Sequence, residues 1–196
     1  GGQRDLRARV IRVLHEGSFQ DDPTRIFRAI RFEQRFGFHL ETTTLRLLAQ
    51  AASTNLIQRL SGPRLQNEVA ERDPVRAIAR LGQLKLLRFL HRHLCYTKSV
   101  KRTVAAVPKA LAWWGRRFPE SVVDKPIVYL MALSSESSPA VVATMIRRLA
   151  LSREQAKKVN IGRRRVDRVL KRLTDPGTIR HSQVFRLLED FSDEAL

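Results

Sequence analysis

Acidic residues are scarce in this chain of 196 residues: 19 Asp and Glu stand against 37 Lys and Arg, a formal net charge of +18. A folded protein this basic, with a pI near 11.4, meets a polyanion. Nucleic acid is the commonest soluble one, with an anionic membrane surface or a ribosome-like assembly as the alternatives. Cysteine is nearly absent as well; Cys95 stands alone, which excludes an internal disulfide and fits a reducing cytoplasm. No apolar run reaches membrane-spanning length, and the first residues carry no signal-peptide pattern, so neither a membrane partner nor export is expected. Internal repeats and low-complexity segments are also missing. The length suffices for one large or two small domains with a core.

What is present is helical period nearly throughout. The spacing predicts helices at about 5–9, 23–36, 41–53, 63–72, 74–82, 84–94, 98–117, 122–134, 139–149, 153–161, 163–174 and 181–190. Pro63, Pro74, Pro126 and Pro139 sit near helix starts, Gly37 and Gly82 near ends, and 55–61 and 134–138 read as loops. Val10 to Leu14 is the one convincing strand. The fold class is therefore all-α, an elongated multi-helix bundle with one short N-terminal strand. A composition shift near 95–98 marks the best domain boundary.

The most informative stretch is 19–32, Phe-Gln-Asp-Asp-Pro-Thr-Arg-Ile-Phe-Arg-Ala-Ile-Arg-Phe. Proline is favoured at the first helical position because it has no N–H to leave unpaired, so Asp22 falls on the N-cap and Arg25 one turn in, on the same side. A carboxylate only accepts hydrogen bonds and a guanidinium only donates them. Together they satisfy a base edge that presents a donor beside an acceptor, the order shared by adenine and cytosine. Guanine and uracil present the reverse and would leave like partners facing one another. The plainer reading is that Asp22 only caps the helix.

On a wheel of about 100° per residue, Ile26, Phe27 and Ile30 share one face and Ala29, Phe32 and Phe36 lie nearly opposite. Arg28, Arg31 and Arg35 form a strip between them, suited to triphosphate or an RNA end, or to solvent. Two further basic groups stand out. Lys157, Lys158, Arg163, Arg164, Arg165, Arg168, Lys171 and Arg172 surround a helix whose Val166, Val169, Leu170 and Leu173 keep apolar spacing. Lys98, Lys101, Arg102, Lys109, Arg116 and Arg117 form the other, with Trp113 and Trp114 inside it. Those tryptophans offer faces on which a base can stack, though adjacent tryptophans on a helix more often divide between core and surface. His91, His93 and Cys95 resemble ligands in print, but on a helix His93 points away from the other two and no fourth ligand is spaced for zinc. His15 and His39 have no Ser or Cys arranged as a nucleophile.

The longer pattern is Gly2-x-x-Asp5-Leu6, Ile11-Arg12, then Phe19-x-Asp21-Asp22-x-x-Arg25-x-x-Arg28-x-x-Arg31-Phe32 and Arg35-Phe36-Gly37-Phe38. It resembles the bacterial class II tRNA nucleotidyltransferase and poly(A) polymerase family, the CCA-adding and A-adding enzymes. The base-selecting motif of that family is an acidic pair, two free positions and an Arg, here Asp21, Asp22, Pro23, Thr24 and Arg25, with Asp21 in place of the usual Glu. The segment Leu60-Ser61-Gly62-Pro63-Arg64-Leu65-Gln66-Asn67-Glu68 is similar to a Ser-x-Glu-Arg-Ile-x-x-Glu-Leu segment of the family, with Pro63 replacing the acid.

The resemblance implies a transferase that adds C and/or A to the 3′ end of tRNA from CTP and ATP. Asp22, Arg25, Arg28 and Asp21 would serve the nucleotide, and Arg163, Arg164, Arg165, Arg168, Lys171, Arg172, Lys101 and Arg102 the tRNA. It also implies Mg²⁺, since two-metal nucleotidyl transfer needs clustered carboxylates holding ions about 4 Å apart. The family carries these in a Gly-Ser segment and an Asp-x-Asp of a head domain, and this sequence has no Asp-x-Asp. The expectation is thus a neck, body and tail whose partner is the missing head, with no catalytic or metal-binding residue of its own. Residues 1–20 read as a head and neck remnant, 21–95 as neck and body, and 96–196 as a basic tail. The rivals are a poly(A) polymerase of the same family and a noncatalytic helical RNA-binding module. Without the head, the Val10–Leu14 strand is expected to be mobile or to find a substitute partner.

Overall fold

The computed structural model describes residues 2–54, 74–174 and 180–196, with the backbone alone at 161–165, 167, 168 and 181. The predicted helix at 63–72, the loop at 55–61 and the Ser61–Glu68 segment lie outside the described residues. The chain divides into two compact units, residues 1–96 with 143–150, and 97–142 with 151–196.

The first unit opens with α1 (Gly2–Ala8), β1 (Val10–Ile11), α2 (Ser18–Asp21) and α3 (Thr24–Phe36). It continues through β2 (His39–Leu40), α4 (Thr42–Ser53), α5 (Pro74–Gln83) and a 3-10 turn at Leu86–Phe89. The strand is shorter than the predicted Val10–Leu14, and its edge is paired: β1 runs parallel to β2 with Val10 opposite His39 and Ile11 opposite Leu40. The ladder stops because the Val13 N–H donates instead to Thr44 Oγ1 at 3.0 Å. Thr44 is buried at the start of α4, whose cap is Glu41. The strand is thereby tied to a helix end.

Helix α3 carries the core of this unit. Ile26, Phe27 and Ile30 are buried, and Phe27 meets Phe89 edge-to-face at 4.7 Å between centroids. The opposite apolar face is only partly covered: Ala29 is buried, whereas Phe36 is 55% exposed. The helix closes where Gly37 takes φ +64°, a left-handed conformation that costs glycine little, and its N–H bonds the Glu33 carbonyl. Glu33 is buried in α3 and grips Arg80 of α5 with two bonds, Nε to Oε2 at 2.6 Å and Nη2 to Oε1 at 2.8 Å. The predicted helix at 84–94 is not formed. Lys85 sits at φ +57°, which breaks the α5 spiral and leaves only the 3-10 turn.

The second unit holds α6 (Lys98–Arg117) and α7 (Lys125–Leu133), capped by Thr97 and Asp124. Helix α8 (Pro139–Arg148) begins in this unit and ends in the first. Helices α9 (Arg153–Thr174) and α10 (His181–Leu188) follow. The two predicted helices at 153–161 and 163–174 are one. Gly162 costs a helix interior about 1 kcal/mol, and burial of Val159 and Val169 on either side outweighs it. Glu194 locks the last turn onto this unit, accepting from Lys158 Nζ at 2.8 Å and from the Asp124 N–H at 3.1 Å. Burial alone would raise the Glu194 carboxyl; the Lys158 and Asp124 hydrogen bonds reverse that and hold it below its usual range.

Candidate nucleotide-binding site

The site residues converge where α2 meets α3. Asp22 lies between the two helices in extended backbone, and Pro23, not Asp22, occupies the position before the first helical residue. The capping chemistry nevertheless belongs to Asp22: its Oδ1 accepts from the Thr24 N–H at 3.0 Å and from Thr24 Oγ1 at 2.6 Å. That satisfies one of the orphan donors of α3 and fixes the carboxylate in orientation. Both Thr24 atoms are needed for this, and Thr24 is buried.

Arg25 does not bond Asp22. Its Nη1 donates to Ser18 Oγ at 2.9 Å and to the Ser18 carbonyl at 3.3 Å, across the sharp reversal between α2 and α3. A guanidinium has five donors in a rigid fork, so anchoring one nitrogen leaves others able to address a ligand. Ser18, buried at the head of α2, is the support of this candidate site that the sequence reading missed. No periodicity reveals it, because it serves Arg25 through a chain reversal seven residues long. Asp21 takes a different partner, His15, with Nε2 to Oδ2 at 3.4 Å. The structure thus gathers Asp22, Thr24, Arg25 and Ser18 and leaves Asp21 on the exposed side with His15.

The strip of arginines runs along α3 as the wheel predicts, braced by aromatic rings. Arg28 and Arg31 each lie 5.5 Å from the Phe32 centroid, and Arg35 lies 5.7 Å from that of Phe36. A cation held over a ring face gives up little freedom when it binds an anion. Arg28 and Arg35 are exposed, Arg31 half-buried.

Of the residues assigned to tRNA, Lys101 and Arg102 are exposed on α6, and Lys171 and Arg172 on α9. The side chains of Arg163, Arg164, Arg165 and Arg168 lie outside the described residues. The reading of His91 and His93 is corrected. They are not on a helix, their rings stand 5.5 Å apart, and the His93 N–H donates to His91 Nδ1 at 3.2 Å. Among the described residues no three His, Cys, Asp or Glu side chains gather where they could hold a metal ion, so the described residues do not fit Mg²⁺. No helix of the described residues is long and apolar enough to cross a membrane.

Comparison with known proteins decides the kinship. An A-adding tRNA nucleotidyltransferase of Geobacter sulfurreducens is 35% identical over the whole chain. A Thermotoga maritima CCA-adding enzyme, solved in complex with tRNA, superposes over the whole chain with a TM-score of 0.84 at 34% identity. The chain belongs to the tRNA nucleotidyltransferase family. A CCA-adding enzyme solved with ATP matches as well, with a TM-score of 0.86 at 34% identity, again over the whole chain. No family model matches. The chain spans 23% of the Geobacter protein's length, 48% of the Thermotoga chain and 46% of the ATP-bound one. Family membership thus rests on a part of each relative's length, and the all-α architecture is the one that the helical period implies.

Proposed function

We propose that this chain supplies base selection and tRNA binding to a nucleotidyltransferase that adds C and/or A to the 3′ end of tRNA from CTP and ATP. The observation that carries the reading is the fixed geometry at the start of α3. Asp22 is oriented by Thr24 and Arg25 by Ser18, so an acceptor group and a donor group are both held before a base arrives. Preorganised polar groups discriminate strongly, because a base of the wrong pattern leaves them unpaired in a desolvated site. Arg28 steadies the nucleotide's phosphates. Residues 21–95 act as neck and body, and the basic surface of 96–196 acts as a tail that holds the tRNA backbone by charge and shape. The solved relatives with tRNA and with ATP support this assignment of ligands.

In this reading catalysis would fall to a metal-binding head domain outside these residues, where Mg²⁺ would supply the nucleotidyl-transfer chemistry. The setting is the cytoplasm, where tRNA ends are processed. The test is nucleotide incorporation by this chain and by the same chain joined to a head domain. Each is given magnesium, each of the four NTPs, and tRNAs ending before, within and just short of CCA. Addition of C or A by the longer protein alone supports the reading, and the acceptor preference separates A addition from CCA addition. Addition by the short chain, or by neither, overturns it. In the latter case salt-dependent RNA binding without base preference identifies a noncatalytic RNA-binding module.

A further inference from the structure

Helix α6 runs for 20 residues with six Lys and Arg and no acid. Val100, Val104 and Val107 are buried along one side, and Trp114 continues that line. Counting about 100° per residue, Trp113 projects about 120° away from it, on the face shared by Arg102, Lys109 and Arg117. It is 54% exposed, a large apolar surface in the middle of cations.

Trp113 is also braced. Trp114 Nε1 donates to Ser121 Oγ at 2.9 Å, and Ser121 in turn donates to Asp193. Phe118 lies 4.4 Å from the Trp114 ring, and Trp113 packs against both, 6.3 Å from Phe118 in an edge-on arrangement and 6.3 Å from Trp114. Among the described residues no arginine covers the Trp113 face. One tryptophan is thus fixed as a support and the other presented as a platform. An exposed, immobilised indole flanked by lysine and arginine is the arrangement that binds nucleic acid by stacking. The cations take the phosphates on either side, and the ring takes one base, with little ordering cost left to be met on binding.

From this we infer that Trp113 is a base-stacking platform, which takes an unpaired or terminal nucleobase of the bound RNA while Arg102, Lys109 and Arg117 hold the neighbouring phosphates. A basic face alone would accept any polyanion; the aromatic platform makes the second unit prefer one that carries bases. The inference rests on the tRNA-binding reading above and adds a positioning residue to it.

The test uses the full 196-residue chain and two polyanions, a tRNA and heparin, which has charge but no bases. Tryptophan emission is expected to be quenched by tRNA, and the quenching to vanish in Trp113→Phe, which leaves Trp114 as the only tryptophan. Trp113→Ala is expected to weaken tRNA binding about 5- to 150-fold while leaving heparin affinity unchanged, because a stacked base contributes about 1–3 kcal/mol. Trp113→Phe, which keeps a ring, is expected to recover most of the affinity. If Trp113→Ala binds tRNA as well as the parent chain, or loses heparin and tRNA equally, the platform is refuted although tRNA binding stands. If the parent chain binds no tRNA, the underlying reading fails instead.

Discussion

Helices α3 and α6 are both rich in basic residues, yet they use their charges in opposite ways. On α3 and at its start the polar side chains are held by the protein itself: Glu33 by Arg80, Asp22 by Thr24, Arg25 by Ser18, and Arg28 and Arg31 by the Phe32 ring. On α6 the charged ends stand in solvent, and only the aromatic cluster at its C-terminal turn is braced. The difference teaches where selectivity can arise. Fixed donors and acceptors reject a wrong base, whereas an exposed cationic face attracts the phosphate backbone without reading it. Under the proposed function α3 discriminates and α6 adheres, so substitutions in the two should have different signatures.

The largest effect on stability is expected from Arg80→Ala. It leaves the buried Glu33 carboxylate unpaired, and breaking one side of such a pair costs about 3 kcal/mol, toward the lower end for buried pairs because Arg80 is 24% exposed. Urea unfolding should show a lower midpoint with an unchanged slope, and an unaltered midpoint would mean that the pair does not join α3 to α5. No substitution of an exposed α6 cation should approach this loss.

Next come two glycines that sharpen the comparison. A methyl group at Gly82 would lie 2.6 Å from Tyr96 Cγ, so Gly82→Ala should destabilise by about 1–3 kcal/mol despite alanine's better helix propensity. At Gly115 on α6 the same methyl meets nothing within 4 Å, and Gly115→Ala should stabilise by up to about 1 kcal/mol. Thermal unfolding of both variants checks the pair, and equal shifts would contradict the packing described here.

Much of this was legible in the sequence. The apolar stripe on α3, the Gly37 stop and the extent of α6 follow from local period and helix-end chemistry, which act over one or two turns. Asp22 and Arg25, the pair proposed to read the base, stood out as residue types in a spacing, but their supports did not. Ser18 reaches Arg25 around a chain reversal, and Arg80 reaches Glu33 from 47 residues away. Such pairings depend on packing between elements and leave no periodic trace. The break at Lys85 was equally hidden, because a left-handed backbone at lysine is imposed by its surroundings, whereas the continuity of α9 through Gly162 reflects burial winning over propensity.

A smaller effect should appear with pH. Glu41 caps α4, and its hydrogen bonds from the Thr44 and Thr43 N–H groups hold its carboxyl at about 2, against an ordinary 4.5. Since the folded value lies below the unfolded one, the stabilisation is fully present above about pH 4.5 and is lost as the pH falls toward 2. NMR titration of the Glu41 carboxyl should show the low midpoint, and Glu41→Gln should remove this part of the pH dependence; a midpoint near 4.5 would mean that the cap is not formed. Smallest for the fold, though not for RNA, are Lys109→Ala and Arg117→Ala. Each should reduce the slope of log affinity against log salt by about one from a parent value of about −4 to −5, while leaving the unfolding midpoint in place.

The central claim is that α3 reads the base and the basic surface holds the RNA. It is tested most directly by measuring the ratio of A and C to G and U incorporation for Arg25→Ala, in the chain joined to its head domain, alongside the affinity of the same variant for tRNA. The ratio is expected to collapse while tRNA affinity stays within a few-fold of the parent. An unchanged ratio, or a loss of tRNA binding with selection intact, would contradict it.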